Sequence, residues 1–363
     1  MSDFTNFHLE AEHDGLALAQ ALKKLLEDRS WSQVRKLIGG RQVQVNGNLC
    51  LDEARRVKGG DVVKLWNRPL AKPADESDVR LVHLDQHLIV VQKPAGVTTL
   101  RHREESGLPQ SRKQLQPTLD ELVVRVLAAQ LGIVPTASLS RSGGRGSGGR
   151  GSRRAGRTAT TGRGFDRRLQ VLPVHRLDRD TSGLMVFART SAAEQKLIQM
   201  FAKHAVTRAY VAVVHGRLEA QTIDTWLVRD RGDGLRGSLP AESADQTDPA
   251  ETRAQRAITH VRPMEHLPDY TIAECRLETG RTHQIRIHLA ERGHMLCGEK
   301  MYTHPLGGKP VEDASRAPRQ ALHAAELAFA HPMGGEPLRF VMPLPKDLRE
   351  WLLKLRQHEN KQA

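Results

Sequence analysis

Only three cysteines, Cys50, Cys275 and Cys297, occur in 363 residues. An odd, widely spaced set argues against a disulfide framework and for a reducing compartment. No CxxC or HExxH pattern is present and the 17 histidines show no ligand spacing, so no metal is expected. Long apolar runs are also missing. Nothing approaches the roughly 18 residues of a spanning helix, and the first residues, MSDFTNFHLEAEHD, are polar and acidic rather than signal-like. A cytoplasmic protein without a membrane partner is the expectation. Acids are outnumbered, 42 against 55 lysines and arginines, giving a net charge of +13. Such an excess calls for an anionic partner, because cations that neutralise phosphates release counterions without needing base recognition.

Past a polar tail, residues 1–14, the stretch 15–67 reads as a small α/β unit. Leu18, Leu22, Leu25 and Leu26 recur at helical spacing beside Lys23 and Lys24. Ser30 and Gln33 fit a capping box for a second helix that turns Val34 and Leu37 inward and Arg35 and Lys36 outward. RQVQV and NLCL flank Asn46-Gly47, which suits a type I′ hairpin turn. Two short helices with basic outer positions, followed by GRQVQVNG, resemble the S4 RNA-binding domain. That resemblance implies RNA contacts from Lys23, Arg35, Lys36 and Arg41. A linker at 68–78, with two prolines, leads to a larger domain at 79–363.

Two insertions interrupt the larger domain. Within 139–168, the segment 141–164 holds seven arginines, nine glycines and no acid, and cannot bury enough apolar surface to fold alone. It reads either as a passive insertion or as an RNA-contacting arm. The second, 231–253, is polar and reads as a surface loop. Between and around them, strands (LIVV, GLMVFA, RAYVAVVHG, YTIAECRL) alternate irregularly with helices. One of these helices opens on Ser191 and Glu194 and turns Leu197, Ile198 and Phe201 inward. This order predicts an α+β fold with a central mixed sheet.

The densest polar cluster is HRLDRDTSGL, from His175, followed by the apolar run LMVFA. This stretch, together with TRAYVAVVHG at 207–216, LETGRTHQIRIHLAERGHMLCG at 277–298 and the KPAG turn at Lys93, resembles the RluA-type RNA pseudouridine synthases. The resemblance implies the pseudouridine synthase fold and an isomerase that needs no cofactor. It also implies that Asp178 is the reactive carboxylate, that Tyr210 stacks on the target uracil and that Arg286 is the ion-pair partner of Asp178. Asp180 is the rival acid, two residues on. Whether the carboxylate attacks the ribose C1′ or removes a ribose proton stays open. Ile285 and Leu289 face inward, which places Arg286 on a more polar flank. Arg176, Arg281, His283 and Gln284 are candidate RNA contacts; Arg176 can also shape the turn, and His283 and Gln284 can fix the loop. One departure from the family pattern falls at Gly298-Glu299 and Tyr302-Thr303, where GD and YG are usual. The expected substrate is ribosomal RNA rather than transfer RNA, taken by a monomer. The alternatives are a transfer-RNA uridine isomerase and a non-catalytic RNA-binding or ribosome-assembly protein.

Overall fold

The computed structural model describes residues 4–70, 72, 74–101, 117–133, 166–231, 234–239, 254–305 and 308–362. The arginine- and glycine-rich segment 141–164 therefore lies outside the described residues; of the wider insertion 139–168 the end is described, where Asp166 caps a short 3-10 turn at Arg167–Leu169. The chain divides into two compact units, one of Met1–Asp75 with Arg101–Thr118 and the other of Glu76–Leu100 with Leu119–Ala363.

The first unit packs helices α1 (Leu18–Leu25) and α2 (Trp31–Gly39) on a four-stranded sheet of β1 (Phe4–His8), β2 (Val43–Val45), β3 (Asn48–Leu49) and β4 (Val62–Trp66), in the order β1-β4-β2-β3. Strand β1 corrects the reading of residues 1–14 as a tail: it runs antiparallel to β4, pairing Phe4 with Trp66 and His8 with Val62. Its two apolar residues, Phe4 and Phe7, stand three apart instead of alternating, so the strand becomes legible only once the partner edge is known. The predicted capping box forms, with the Ser30 hydroxyl accepting from Gln33 N at 3.2 Å and the Gln33 side chain accepting from Ser30 N at 2.7 Å. Asn46 and Gly47 both take positive φ, at 52° and 77°, as a type I′ turn requires. Leu18, Leu22, Val34, Ile38 and Val63 close the core.

The second unit is built on an eleven-stranded sheet. Its strands are β5 (Arg80–Leu84), β6 (Leu88–Lys93), β7 (Leu172–Pro173), β8 (Ser182–Ala188), β9 (Thr207–His215), β10 (Gln221–Val228), β11 (Gly237–Ser238), β12 (Gln255–His266), β13 (Tyr270–Leu277), β14 (Leu322–Ala330) and β15 (Pro337–Val341). The order is β11-β10-β12-β13-β9-β14-β8-β6-β5, with β15 on β14 and β7 on β8. The β8–β14 pair runs parallel and the other pairs antiparallel, which makes the sheet mixed. Helices α3 (Leu119–Leu131), α4 (Ser191–Ala202), α5 (Gln284–Glu291) and α6 (Lys346–Gln362) complete the unit. Ala193 and Leu197 of α4 share a core with Leu184 and Val186 of β8, and Leu348, Trp351 and Leu352 of α6 pack with Val213 and Ile272.

Two local expectations need correction. Thr190, not Ser191, caps α4, its hydroxyl accepting from Ala193 N, and Ile198 is 41% exposed rather than inward. Part of the 231–253 loop is buried structure: Gly237 and Ser238 pair with β10, and Arg231 forms an ion pair with Glu291 at 3.5 Å.

The parallel contact sets the frame for everything that follows. Ala324 of β14 lies opposite Gly183 of β8 on one side and Tyr210 of β9 on the other. Strands about 4.8 Å apart thereby bring residue 210 beside the start of β8. Gly183 has a φ of 126°, and a Cβ there would run into the backbone of Ala324. Gly183→Ala should therefore cost about 2–4 kcal/mol of stability, measured as a fall in the thermal midpoint relative to wild type.

Candidate active site

The turn between β7 and β8 is pinned almost residue by residue. Leu177 exchanges hydrogen bonds with the buried Thr99 hydroxyl, which donates to its carbonyl at 2.8 Å and accepts from its N–H at 3.2 Å. Lys93, at the end of β6, donates to the carbonyls of Arg179 and Pro94, both at 2.8 Å. Gln320 donates to the Thr181 hydroxyl at 2.8 Å, and Arg319 donates to the Asp180 carbonyl at 3.2 Å and the Ser182 hydroxyl at 3.0 Å. Lys93 is fully buried; burial pushes its pKa down to about 7 against the pull of Asp180 and Asp178. With the backbone held this way, the Asp178 side chain faces a cavity of about 470 Å3 that Tyr210, Arg281 and Arg286 also line.

Opposite Asp178, α5 is buried along its length, from Gln284 to Ala290. This corrects the expectation that Arg286 occupies a polar flank. A helix enclosed by protein has no solvent face for its polar residues, so each finds an internal partner. His288 lies 2.9 Å from the Thr259 hydroxyl and 3.0 Å from that of Thr225. Arg286 donates from Nη1 to Asp178 Oδ2 at 3.3 Å, and from Nε and Nη2 to the two carboxylate oxygens of Glu299 at 2.8 and 2.7 Å. Burial opposes the Arg286 charge, but Glu299 and Asp178 outweigh it and its pKa rises. Glu299 Oε1 also accepts from the N–H groups of Lys300 and Met301, both at 2.9 Å.

His283 starts α5 at a left-handed φ of 61°. Its Nδ1 is 2.8 Å from the Tyr302 hydroxyl and its Nε2 is 3.9 Å from Asp178 Oδ1. Burial lowers its pKa despite the nearby Asp178. Tyr210 is 8% exposed, and its phenol is pushed up to about 12, first by burial. His175 stacks on Phe201 with centroids 4.8 Å apart and accepts from Val186 N, while burial and then Arg208 drive its pKa down to about 3. It shapes the turn as a neutral ring.

Asp178, Tyr210 and Arg286 are thus brought to one cavity, and Arg176, Arg281 and His283 line it too. Asp180 is turned outward, with a 44% exposed side chain beside Arg179. Gln284 is a correction as an RNA contact. It is 2% exposed, and its amide bonds the Thr279 and Thr259 hydroxyls, the Arg281 N–H and the Ile258 carbonyl. In the first unit, Lys36 is exposed, Lys23 donates to the Glu27 carbonyl, Arg35 pairs with Glu53 at 3.1 Å and Arg41 donates to the Leu70 carbonyl.

Sequence reasoning missed the part played by Glu299 and Lys93. Glu299 surfaced only as a departure from a pattern, and Lys93 only as part of a turn, although a lysine ending the apolar strand LIVVQK was a signal of burial. Burial opposes the Glu299 charge, yet Arg286 and the backbone N–H groups hold its pKa below the 4.5 of a free glutamate. A carboxylate depressed on folding contributes stability that is complete above the unfolded value and is lost as pH falls through the folded one. Glu299→Gln should therefore lose about 2–4 kcal/mol at pH 7. In melts recorded from pH 7 downward, the gap to wild type should narrow once pH drops below 4.5.

Residues 87–291, more than half of the chain, match the RNA pseudouridylate synthase family, and residues 18–63 match the S4 domain. A protein of Escherichia coli, "Ribosomal large subunit pseudouridine synthase D", is 30% identical over 94% of this chain and 91% of its own length. One of the same name from Zymomonas mobilis is 31% identical over 94% of each chain. The solved human structure "RNA Pseudouridylate Synthase Domain Containing 4" shares the fold, with a TM-score of 0.53 over 76% of this chain and 93% of that one, at 18% identity. With its S4 domain followed by this catalytic fold, the chain belongs to the RNA pseudouridine synthase family.

Proposed function

We propose that the protein isomerises uridine to pseudouridine in large-subunit ribosomal RNA, with Asp178 as the reacting carboxylate. The reaction breaks the N1–C1′ bond of uridine, rotates the uracil and forms a C5–C1′ bond. The C5 proton departs and N1 gains one, so the net change is an isomerisation. The observation that carries the residue assignment is the Asp178 carboxylate in a cavity, 3.3 Å from a buried guanidinium that a second acid holds still. From there it can attack C1′ or take a ribose proton, while Arg286 offsets its charge in either role. A uracil drawn from its helix loses stacking and regains it on an aromatic face, about 1–3 kcal/mol per base. Tyr210, at the cavity wall, supplies that face.

The ribosomal target rests on the two bacterial relatives, whose names specify the large ribosomal subunit. Three buried free thiols fit action in a reducing cytoplasm, and the protein acts there as a monomer. Lys36 and its basic neighbours in the S4 domain add phosphate contacts that position the RNA.

Mapping pseudouridine in ribosomal and transfer RNA from cells with and without the gene should show loss at a defined large-subunit uridine. Asp180→Asn should restore that site and Asp178→Asn should not; restoration by Asp178→Asn would refute the assignment. Tyr210→Phe keeps the ring but loses the hydroxyl. RNA binding is expected to hold within about twofold, since stacking carries it, so any fall in single-turnover rate measures what the hydroxyl contributes.

A further inference from the structure

Arg208 is a buried cation with no acid paired to it among the described residues. It lies two residues before Tyr210 on β9, is 9% exposed and lines the same cavity. Its Nη2 donates to the Glu278 carbonyl at 2.7 Å and reaches that of Leu277 at 3.5 Å, and its guanidinium lies 5.5 Å from the Phe201 ring. Nε has no acceptor among the described residues, nor does any carboxylate there pair with the group. Arg286, by contrast, is matched by two acids. An arginine stays protonated in proteins, so this charge is buried against two carbonyl dipoles and an aromatic face. Leaving a charge so poorly compensated costs stability, and an anion arriving from solution would remove the deficit.

Gly280 supports the same reading. A Cβ there would sit 2.5 Å from Arg208 Nη1, and the glycine needs no positive φ, so its value is the space it leaves for the guanidinium. Alternation along β9 puts Arg208 and Tyr210 on one face, about 6.6 Å apart. That is the scale of the separation between a nucleotide's base and the phosphate one ribose away. Four arginines line the cavity, and Asp178 is the one acid doing so among the described residues.

We propose that Arg208 forms a phosphate subsite, receiving the RNA phosphodiester next to the target uridine while Tyr210 faces the uracil. A guanidinium offers directed donors suited to phosphate oxygens. The subsite would place the ribose between two fixed points, with C1′ presented to Asp178. This rests on the isomerase reading above and adds the group that holds the nucleotide's backbone.

The test uses the full-length protein and an RNA oligonucleotide containing the uridine identified by mapping, with each flanking phosphate replaced in turn by a neutral methylphosphonate. At one position, wild-type kcat/KM should fall about 10- to 100-fold, the range for a hydrogen bond to a charged group. Arg208→Met should lose a similar factor on natural RNA and nothing more on that methylphosphonate, with Arg208→Lys intermediate. If Arg208→Met fails to fold, Gly280→Ala, which crowds the guanidinium without deleting it, replaces it in the comparison. The subsite is overturned if neither methylphosphonate slows wild type, or if the two losses multiply, as they would were Arg208 bound to a uracil oxygen instead. Turnover of natural RNA with no methylphosphonate effect rejects the subsite alone; no turnover of natural RNA by wild type rejects the isomerase reading as well.

Discussion

A guanidinium shared between two carboxylates is the interaction on which the rest of the catalytic unit depends. Arg286 is buried, and a lone charge at that depth would cost several kcal/mol. Glu299 holds one edge of it in a bidentate pair and Asp178 takes the remaining Nη1. Glu299 is itself held by successive backbone N–H groups of the turn that follows it. Gly298 has a φ of 78°, and a Cβ there would collide with the Arg319 backbone, so the glycine lets the chain pass closely enough to deliver Glu299. The Asp178 carboxylate is therefore tied to a chain of contacts that begins 121 residues later in the sequence.

The sheet supplies the other half of the constraint. Lys93 from β6, Thr99 from the loop after it, and Arg319 and Gln320 just before β14 each take a polar group of the segment from Leu177 to Ser182. Such a turn would otherwise bury unpaired carbonyls and hydroxyls. With them paired, the backbone on both sides of Asp178 is held while its side chain lines the cavity. The Ser182 hydroxyl, 2.9 Å from His323 Nδ1, extends the clamp into the core. Burial drives His323 down to about 4, so the contact is made by a neutral ring at working pH.

Departures from the sequence reading share a physical cause. Hydropathy periodicity assumes that an element has a wet side and a dry side. It worked for α1 and α2, whose outer faces are solvated, and for the Asn46-Gly47 hairpin, whose geometry is local. It failed for α5, which is enclosed, so that the polar flank expected for Arg286 is interior and Gln284, offered as an RNA contact, is internal. It also failed at Phe4–His8, where an edge strand is recognised by its partner rather than by its own pattern. Glu299 shows the limit of pattern matching: the same substitution that looked like a local irregularity supplies the counter-charge for Arg286.

The amino-acid sequence by itself determined the basic character, the alternation of strands and helices and the S4 unit, because these depend on composition, short-range geometry or a contiguous motif; a motif resemblance singled out Asp178 as the candidate acid. Only the tertiary structure decided which carboxylates share Arg286, that Gln284 is spent on internal bonds, and that Arg208 lies buried with no paired acid among the described residues. Those are meetings between segments tens to hundreds of residues apart, and a sequence records the groups each segment brings but not the packing that makes them neighbours.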